Sequence, residues 1–382
     1  SAKRKRPQRF AVYSIVVGCI VCFGLLLVVN SWQSAHRRFH QSLEAPVPLS
    51  SRNNDAIQSV RTEFKLRYGN QSDSILQKGV QRFGDVRTTA MQILQSAAQG
   101  KPFVLSFAGY SVTVGRGNYF SQSYPFVLER ILKPIFEETF SMNLVVRNAA
   151  IGGIPSFPYG FCFEHFLGGD SSVISWDYSM NEGQGDSVLE AYIRQSQSQL
   201  QRQPMLISLD TDKKRCRLLQ KYVELGLLSS ALCVGKAKDA FDESILTDEE
   251  RPIGFQHWDE FGAPNLCPGR SSWHPKKMEH ELIAWMIAMY FVDAVSEAQQ
   301  LMRNVPNWRS TYASLATVHV SEFPHPLTTI DTNLQSVADL LYGHANRNGM
   351  YELNHLSCRT NFLPATNHDK VLPSILLSGL SE

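Results

Sequence analysis

The chain has 382 residues, 43% hydrophobic and 19% charged. That content supplies a sizeable core and excludes a largely disordered or collagen-like chain. The formal charge of +2 is unevenly placed. Lys3, Arg4, Lys5, Arg6, Arg9, Arg37 and Arg38 all precede the first acid, Glu44, and setting those seven aside leaves 30 basic against 35 acidic residues, a net of −5. An acidic body argues against a nucleic-acid partner.

The elements follow in chain order. Residues 1–9 form a basic tail. Phe10 to Ala35 carries no charged side chain, and its centre, AVYSIVVGCIVCFGLLLVV, is long enough to span a bilayer core of about 30 Å. Residues 10–32 are therefore expected to be one transmembrane signal anchor, with Trp32 at an interface. The apolar run exceeds a signal-peptide core, and no small-x-small cleavage site follows it. Five basic residues before the span and two after it predict a cytosolic N-terminus. This is the orientation of a single-pass type II membrane protein with its body in the secretory lumen or outside the cell.

Residues 33–98 are polar and read as a stem, with short helices over 55–67 and 74–98. Asn70-Gln71-Ser72 is an N-glycosylation sequon. Beyond it, five apolar runs bounded by turn residues predict strands: Phe103–Ala108, Leu144–Arg147, Ser172–Trp176, Met205–Leu209 and Ala231–Val234. Helical stretches over Tyr124–Thr139, Ser187–Gln201 and Lys214–Leu227 alternate with them, and Lys277 to Arg303 forms a longer apolar helix. Strands alternating with helices predict a parallel sheet covered on both faces. The fold class is thus α/β, a three-layer α/β/α flavodoxin-like arrangement over residues 99–303, preceded by one transmembrane helix. Residues 304–382 are expected to be an irregular C-terminal extension. In an oxidising lumen some of Cys162, Cys216, Cys233, Cys267 and Cys358 would pair.

Ligands of such sheets sit beyond the carboxyl ends of the strands. Gly109-Tyr110-Ser111-Val112-Thr113 follows the first strand, Asn148-Ala149-Ala150-Ile151-Gly152-Gly153 the second, and Asp177 to Glu182 the third. Ser272-Trp273-His274-Pro275 precedes the long helix. A hydroxyl, exposed backbone at glycine, an amide and an imidazole on one edge are the groups acyl transfer needs.

The order Ser, Gly, Asn, His in these four blocks resembles the SGNH (GDSL-type) hydrolase superfamily. GYSVT is similar to its first block, NAAIGG to its second, SMNE to its third and SSWHP to its fourth. The stretch SVTVGRGNYFSQSYP also looks like a membrane-anchored subgroup seen in algae and protists. The resemblance implies Ser111 as nucleophile and His274 as base and then acid. It places Gly153 and Asn181 in the oxyanion hole, with no cofactor and no metal. Two positions depart from its pattern. Tyr110 stands where the family has Asp. Ser271 stands where an Asp would orient the histidine, a task left to a backbone carbonyl, Asp177 or Asp259.

Arg116, Asn118 and Trp273 are expected to line the substrate mouth, and Trp176 and Trp273 to flank it. His165, His257 and His280 read as packing or surface residues. The implied activity is ester hydrolysis or acyl transfer on an O-acyl substrate, with O-acetylated glycans the class taken from the superfamily. A non-catalytic member of the same fold is one alternative. A glycosyltransferase using the metal-binding pattern Asp210-Thr211-Asp212 is another.

Overall fold

The structure is a computed structural model describing residues 49–156, 159–182, 185–209, 212–235, 240, 274–315 and 323–328. The expected membrane span lies outside the described residues, as do Trp273, Ser271, Asp259, Asp210 and His257. Among the described residues no helix is long and apolar enough to cross a membrane. The chain divides into two units, Ser1–Arg52 and Asn53–Glu382; the architecture is that of the second.

Its centre is a six-stranded sheet: β1 (Val80–Phe83), β2 (Phe103–Phe107), β3 (Leu144–Asn148), β4 (Val173–Trp176), β5 (Met205–Leu209) and β6 (Ser230–Val234), in the order β1-β6-β5-β4-β2-β3. The five strands β2 to β6 run parallel, and β1 pairs antiparallel with β6. Among those five, the order is that of a flavodoxin-like sheet. Each lies within one residue of its predicted run.

Side chains alternate between two cores. Phe103, Leu105, Val173, Met205, Ile207 and Leu232 face a large core with α3 (Val86–Ala98), α5 (Tyr124–Phe140) and α9 (Lys277–Asn304). Ile174, Trp176, Leu206, Ala231 and Cys233 face a second core with α6 (Phe163–Leu167), α7 (Gly185–Leu200) and α8 (Lys213–Glu224). Both faces are covered, so the inner strands β2, β4, β5 and β6 are buried over nearly their whole length. Cys216 of α8 and Cys233 of β6 form a disulfide that ties this second layer to the sheet; Cys162 is disulfide-bonded as well.

The described part of the expected stem belongs to the body instead. Helix α1 (Leu49–Tyr68) buries Ile57, Phe64 and Tyr68 in the large core. Arg61 and Arg82 both grip Asp293 of α9, at 2.8 and 2.6 Å. The single helix expected over 74–98 is three elements: α2 (Ser72–Gly79), the edge strand β1, and α3, capped by Asp85 accepting from Arg87 N. Gly84, at φ +84°, makes the turn between strand and helix. Asn70 is exposed in a short 3-10 turn.

Helix α10 (Trp308–Ala313) follows α9. Phe323–Thr328 then docks on α7 through Glu190. The buried Glu190 carboxylate accepts from Leu327 N (3.0 Å), Thr328 N (2.8 Å) and Thr328 Oγ1 (2.7 Å), and Arg194 pairs with it. Burial pushes this carboxyl's pKa up, but the hydrogen bonds from Thr328, Arg194 and the two amides outweigh it and hold the pKa below the usual value.

Candidate functional site

Strand β2 lies between β3 and β4, so the chain leaves it in one direction for β3 and returns on the other side for β4. This is a topological switch point, where a crevice opens beyond the carboxyl ends of the strands. Past β2 the backbone stays tethered to both neighbours. Ile151 N donates to Gly109 O (3.0 Å), and Tyr110 N donates to Asp177 O (3.0 Å). Only glycine fits at 109, because a Cβ there would lie 2.2 Å from Thr113 Oγ1 and 3.0 Å from Asp177 Cβ. The chain then breaks sharply into a single helical turn, α4 (Ser111–Val114), which Gly115 ends at φ +86°.

Ser111 opens that turn, and its Oγ lies 2.7 Å from His274 Nε2. Both residues are 5% exposed. They are 163 positions apart in sequence, and the geometry is that of a nucleophile with its base. Burial, aided by the charge of Arg116, lowers the His274 pKa to about 4. The imidazole is therefore neutral at pH 7 and able to accept a proton.

Three networks hold the pair. Thr113 Oγ1 donates to Asp177 Oδ2 (2.5 Å) and contacts Tyr124 Oη (3.1 Å). The carboxylate of Asp177, an acid expected as a candidate for orienting His274, is engaged with the serine turn. Asn148, closing β3, donates to Thr113 O (2.8 Å) and accepts from Ala150 N (3.2 Å). Asn118 donates to Pro275 O (2.9 Å), tying the serine side to the loop that carries His274.

The glycine loop and Asn181 complete the edge. A Cβ on Gly152 would stand 3.6 Å from Ser111 Cβ, whereas one on Gly153 would meet nothing within 4 Å. Gly152 is thus the glycine against the nucleophile, and Gly153, at φ +81°, makes the turn. Asn181 Nδ2 donates to Ile154 O (2.9 Å), and Ser156 N donates to Glu182 Oε1 (2.5 Å), so the turn after β4 clasps the glycine loop. One N–H of the Asn181 amide is spent on that clasp; the group carries a second.

Other expectations fall out differently. Asn118 is buried, and its amide serves the histidine loop rather than a substrate. Arg116 is exposed beside the pair. Trp176 is fully buried, with Arg215 over its ring, so it is a core residue and offers no face to a sugar. Asp212 caps α8, accepting from Lys214 N (2.8 Å) and Arg215 N (3.4 Å), which accounts for that aspartate without a metal. His165 is exposed. His280 is buried, and its Nδ1 accepts from Tyr124 N (3.2 Å). Burial, with His274 nearby, lowers the His280 pKa to about 3. Thr113 and Asn148 lie inside the first two blocks and Asn118 and His280 outside them, and nothing in their spacing signals the supporting roles they play.

No protein-family model matches the chain, and no curated protein matches it. Two crystal structures of a two-domain esterase (CEX) active on acetylated mannans are similar to it, each at 16% identity over 66% of this chain. One, co-crystallised with mannopentaose, gives a TM-score of 0.42; the other gives 0.39. The match spans 60% and 61% of the length of those esterase chains.

Proposed function

We propose that this chain is a serine-dependent carboxyl-ester hydrolase or acyltransferase of the SGNH kind. The 2.7 Å contact between Ser111 Oγ and His274 Nε2 at the switch point carries the reading. In the reaction, Ser111 Oγ attacks the ester carbonyl while its proton passes to His274 Nε2. Negative charge develops on the carbonyl oxygen. The backbone N–H groups of Ser111 and the Gly152-Gly153 loop, with the second N–H of Asn181, would hold it. Collapse breaks the ester C–O bond, and the departing alcohol takes the proton from His274. Water, or a second hydroxyl in the transferase case, then attacks the acyl-serine with His274 again as base.

The His274 pKa of about 4 gives the pH dependence. The neutral base is required, so the rate is flat from pH 5 to neutrality and falls as the pH drops through about 4.

The substrate class is an O-acetylated glycan, a reading taken from the four-block resemblance. The body would face the secretory lumen or the exterior, tethered by residues 10–32. The Cys216–Cys233 disulfide suits an oxidising compartment, and Asn70 is exposed as an acceptor must be. Endoglycosidase sensitivity at Asn70 and protease protection of the body in microsomes test the placement.

The test of the chemistry is Ser111→Ala assayed with p-nitrophenyl acetate. Turnover should drop by about 10⁴-fold or more, and stability should change by no more than about 1 kcal/mol for the lost hydrogen bond. Undiminished turnover in the variant would remove Ser111 as nucleophile. Failure of the folded wild type to turn over any ester or react with a fluorophosphonate would favour the non-catalytic reading.

A further inference from the structure

Arg116 occupies a place that the ester chemistry does not explain. Its backbone is pinned to Ser111, and Asn118 two residues on reaches the loop that carries His274. Arg116 N donates to Ser111 O (3.0 Å), Asn118 N donates to Gly115 O (2.9 Å), and the Asn118 side chain holds Pro275 next to His274. Gly115 and Gly117, at φ +86° and +88°, turn the chain on either side of it. The side chain is exposed, and no carboxylate among the described residues pairs with it. Of the acids that follow β4, Glu182 accepts from Ser156 N and Asp177 from Thr113 Oγ1.

A cation fixed next to a buried histidine base opposes the reaction, because it disfavours the imidazolium that forms as Ser111 attacks. A guanidinium on the turn behind the nucleophile, with no carboxylate partner among the described residues, has the form of a receptor for an oxyanion, which Arg can bind in a two-pronged manner.

We infer that the substrate carries an anionic group close to the scissile ester, a uronate carboxylate or a sugar sulfate, and that Arg116 binds it. This inference rests on the esterase reading and narrows its substrate class from O-acylated glycans to acidic ones. The bound anion has a second effect: it neutralises the charge that Arg116 sets against His274. The substrate thereby restores strength to the base that attacks it.

The experiment uses chemically acetylated galacturonan oligosaccharides and the same oligosaccharides with the carboxylates methyl-esterified, which erases the charge and keeps the sugar. Wild type should prefer the acid form by about 10- to 100-fold in kcat/KM, the range of a charge-assisted hydrogen-bonding pair. R116Q should bring that ratio to near one, and R116K should keep part of it. In R116Q the acid limb of the pH profile on the neutral ester should move upward from about pH 4, since one cause of the low His274 pKa is gone; a merely structural role would not move it. Equal rates on both forms in wild type, or an unchanged ratio in R116Q, overturn the inference while Ser111-dependent turnover of p-nitrophenyl acetate leaves the esterase reading standing. Where that turnover is itself absent, calorimetric binding of unacetylated tetragalacturonate decides the matter. Binding that R116Q abolishes sustains the anion site, and no binding by wild type ends it.

Discussion

The two turns that meet at the site are built in opposite ways. The serine turn is short-range and over-determined. Gly109 is wedged between Thr113 and Asp177, the backbone is tied to both neighbouring strands, and Asn148 and Asp177 each hold Thr113. The histidine turn arrives from 163 residues away at the head of the 28-residue helix α9. Besides the catalytic contact, the Asn118 amide on Pro275 ties it to the serine side. A nucleophile on a sharp strand-to-helix turn needs rigid local support. A base delivered by a long helix draws its precision from core packing and needs only a tether at the tip.

That contrast predicts different failures. Asn118→Ala removes the tether and should act on catalysis: kcat falls by about 100-fold, as expected for a misplacement of about 1 Å, with KM for p-nitrophenyl acetate nearly constant. A variant whose thermal midpoint drops while kcat per folded molecule is intact would break the comparison. Thr113→Val takes one donor from the buried Asp177 carboxylate, and should act on stability, costing about 1–3 kcal/mol in urea unfolding with only a few-fold loss of kcat. Catalysis lost without loss of stability would reverse the assignment.

The smallest effect concerns acid tolerance. His274 and His280 have native pKa values of about 4 and about 3, below the unfolded value of 6.5. The unfolded chain binds protons more readily, so their contribution is fully present above pH 6.5 and is lost as the pH falls toward 4 and 3. His280→Gln can still accept from Tyr124 N and does not titrate. Its unfolding free energy should therefore fall less steeply between pH 6.5 and 4 than that of wild type, and equal slopes would remove His280 from this account.

Much of this was legible in the sequence, for reasons that differ by element. Strands β2, β4 and β6 are buried on both faces and β5 nearly so, and these show as largely apolar runs between turn residues, while the edge strand β3 shows only the shorter run Leu144–Val146. Helix α9 was legible because it is long and apolar. Strand β1 was not: Val80-Gln81-Arg82-Phe83 is a four-residue edge strand with two exposed polar positions, and it follows Gly79 in a stretch rich in helix formers. The stem reading failed because α1 contributes few large apolar residues, and its arginines find Asp293 and Glu281 only in three dimensions. At the site, order along the chain was enough to pair Ser111 with His274. The direction of the Asn118 amide, and whether Gly152 or Gly153 stands against the nucleophile, depend on turn geometry that spacing does not encode.

The grip of Glu190 on Leu327 and Thr328 bears on how the protein should be produced. The end of α9 looks like a natural place to cut, and the tail beyond it looks dispensable. A truncation there would strip three donors from a carboxylate with no exposed surface and leave it to Arg194 and Tyr222. A shortened chain that keeps this carboxylate satisfied therefore extends at least to Thr328, some 24 residues beyond the last residue of α9.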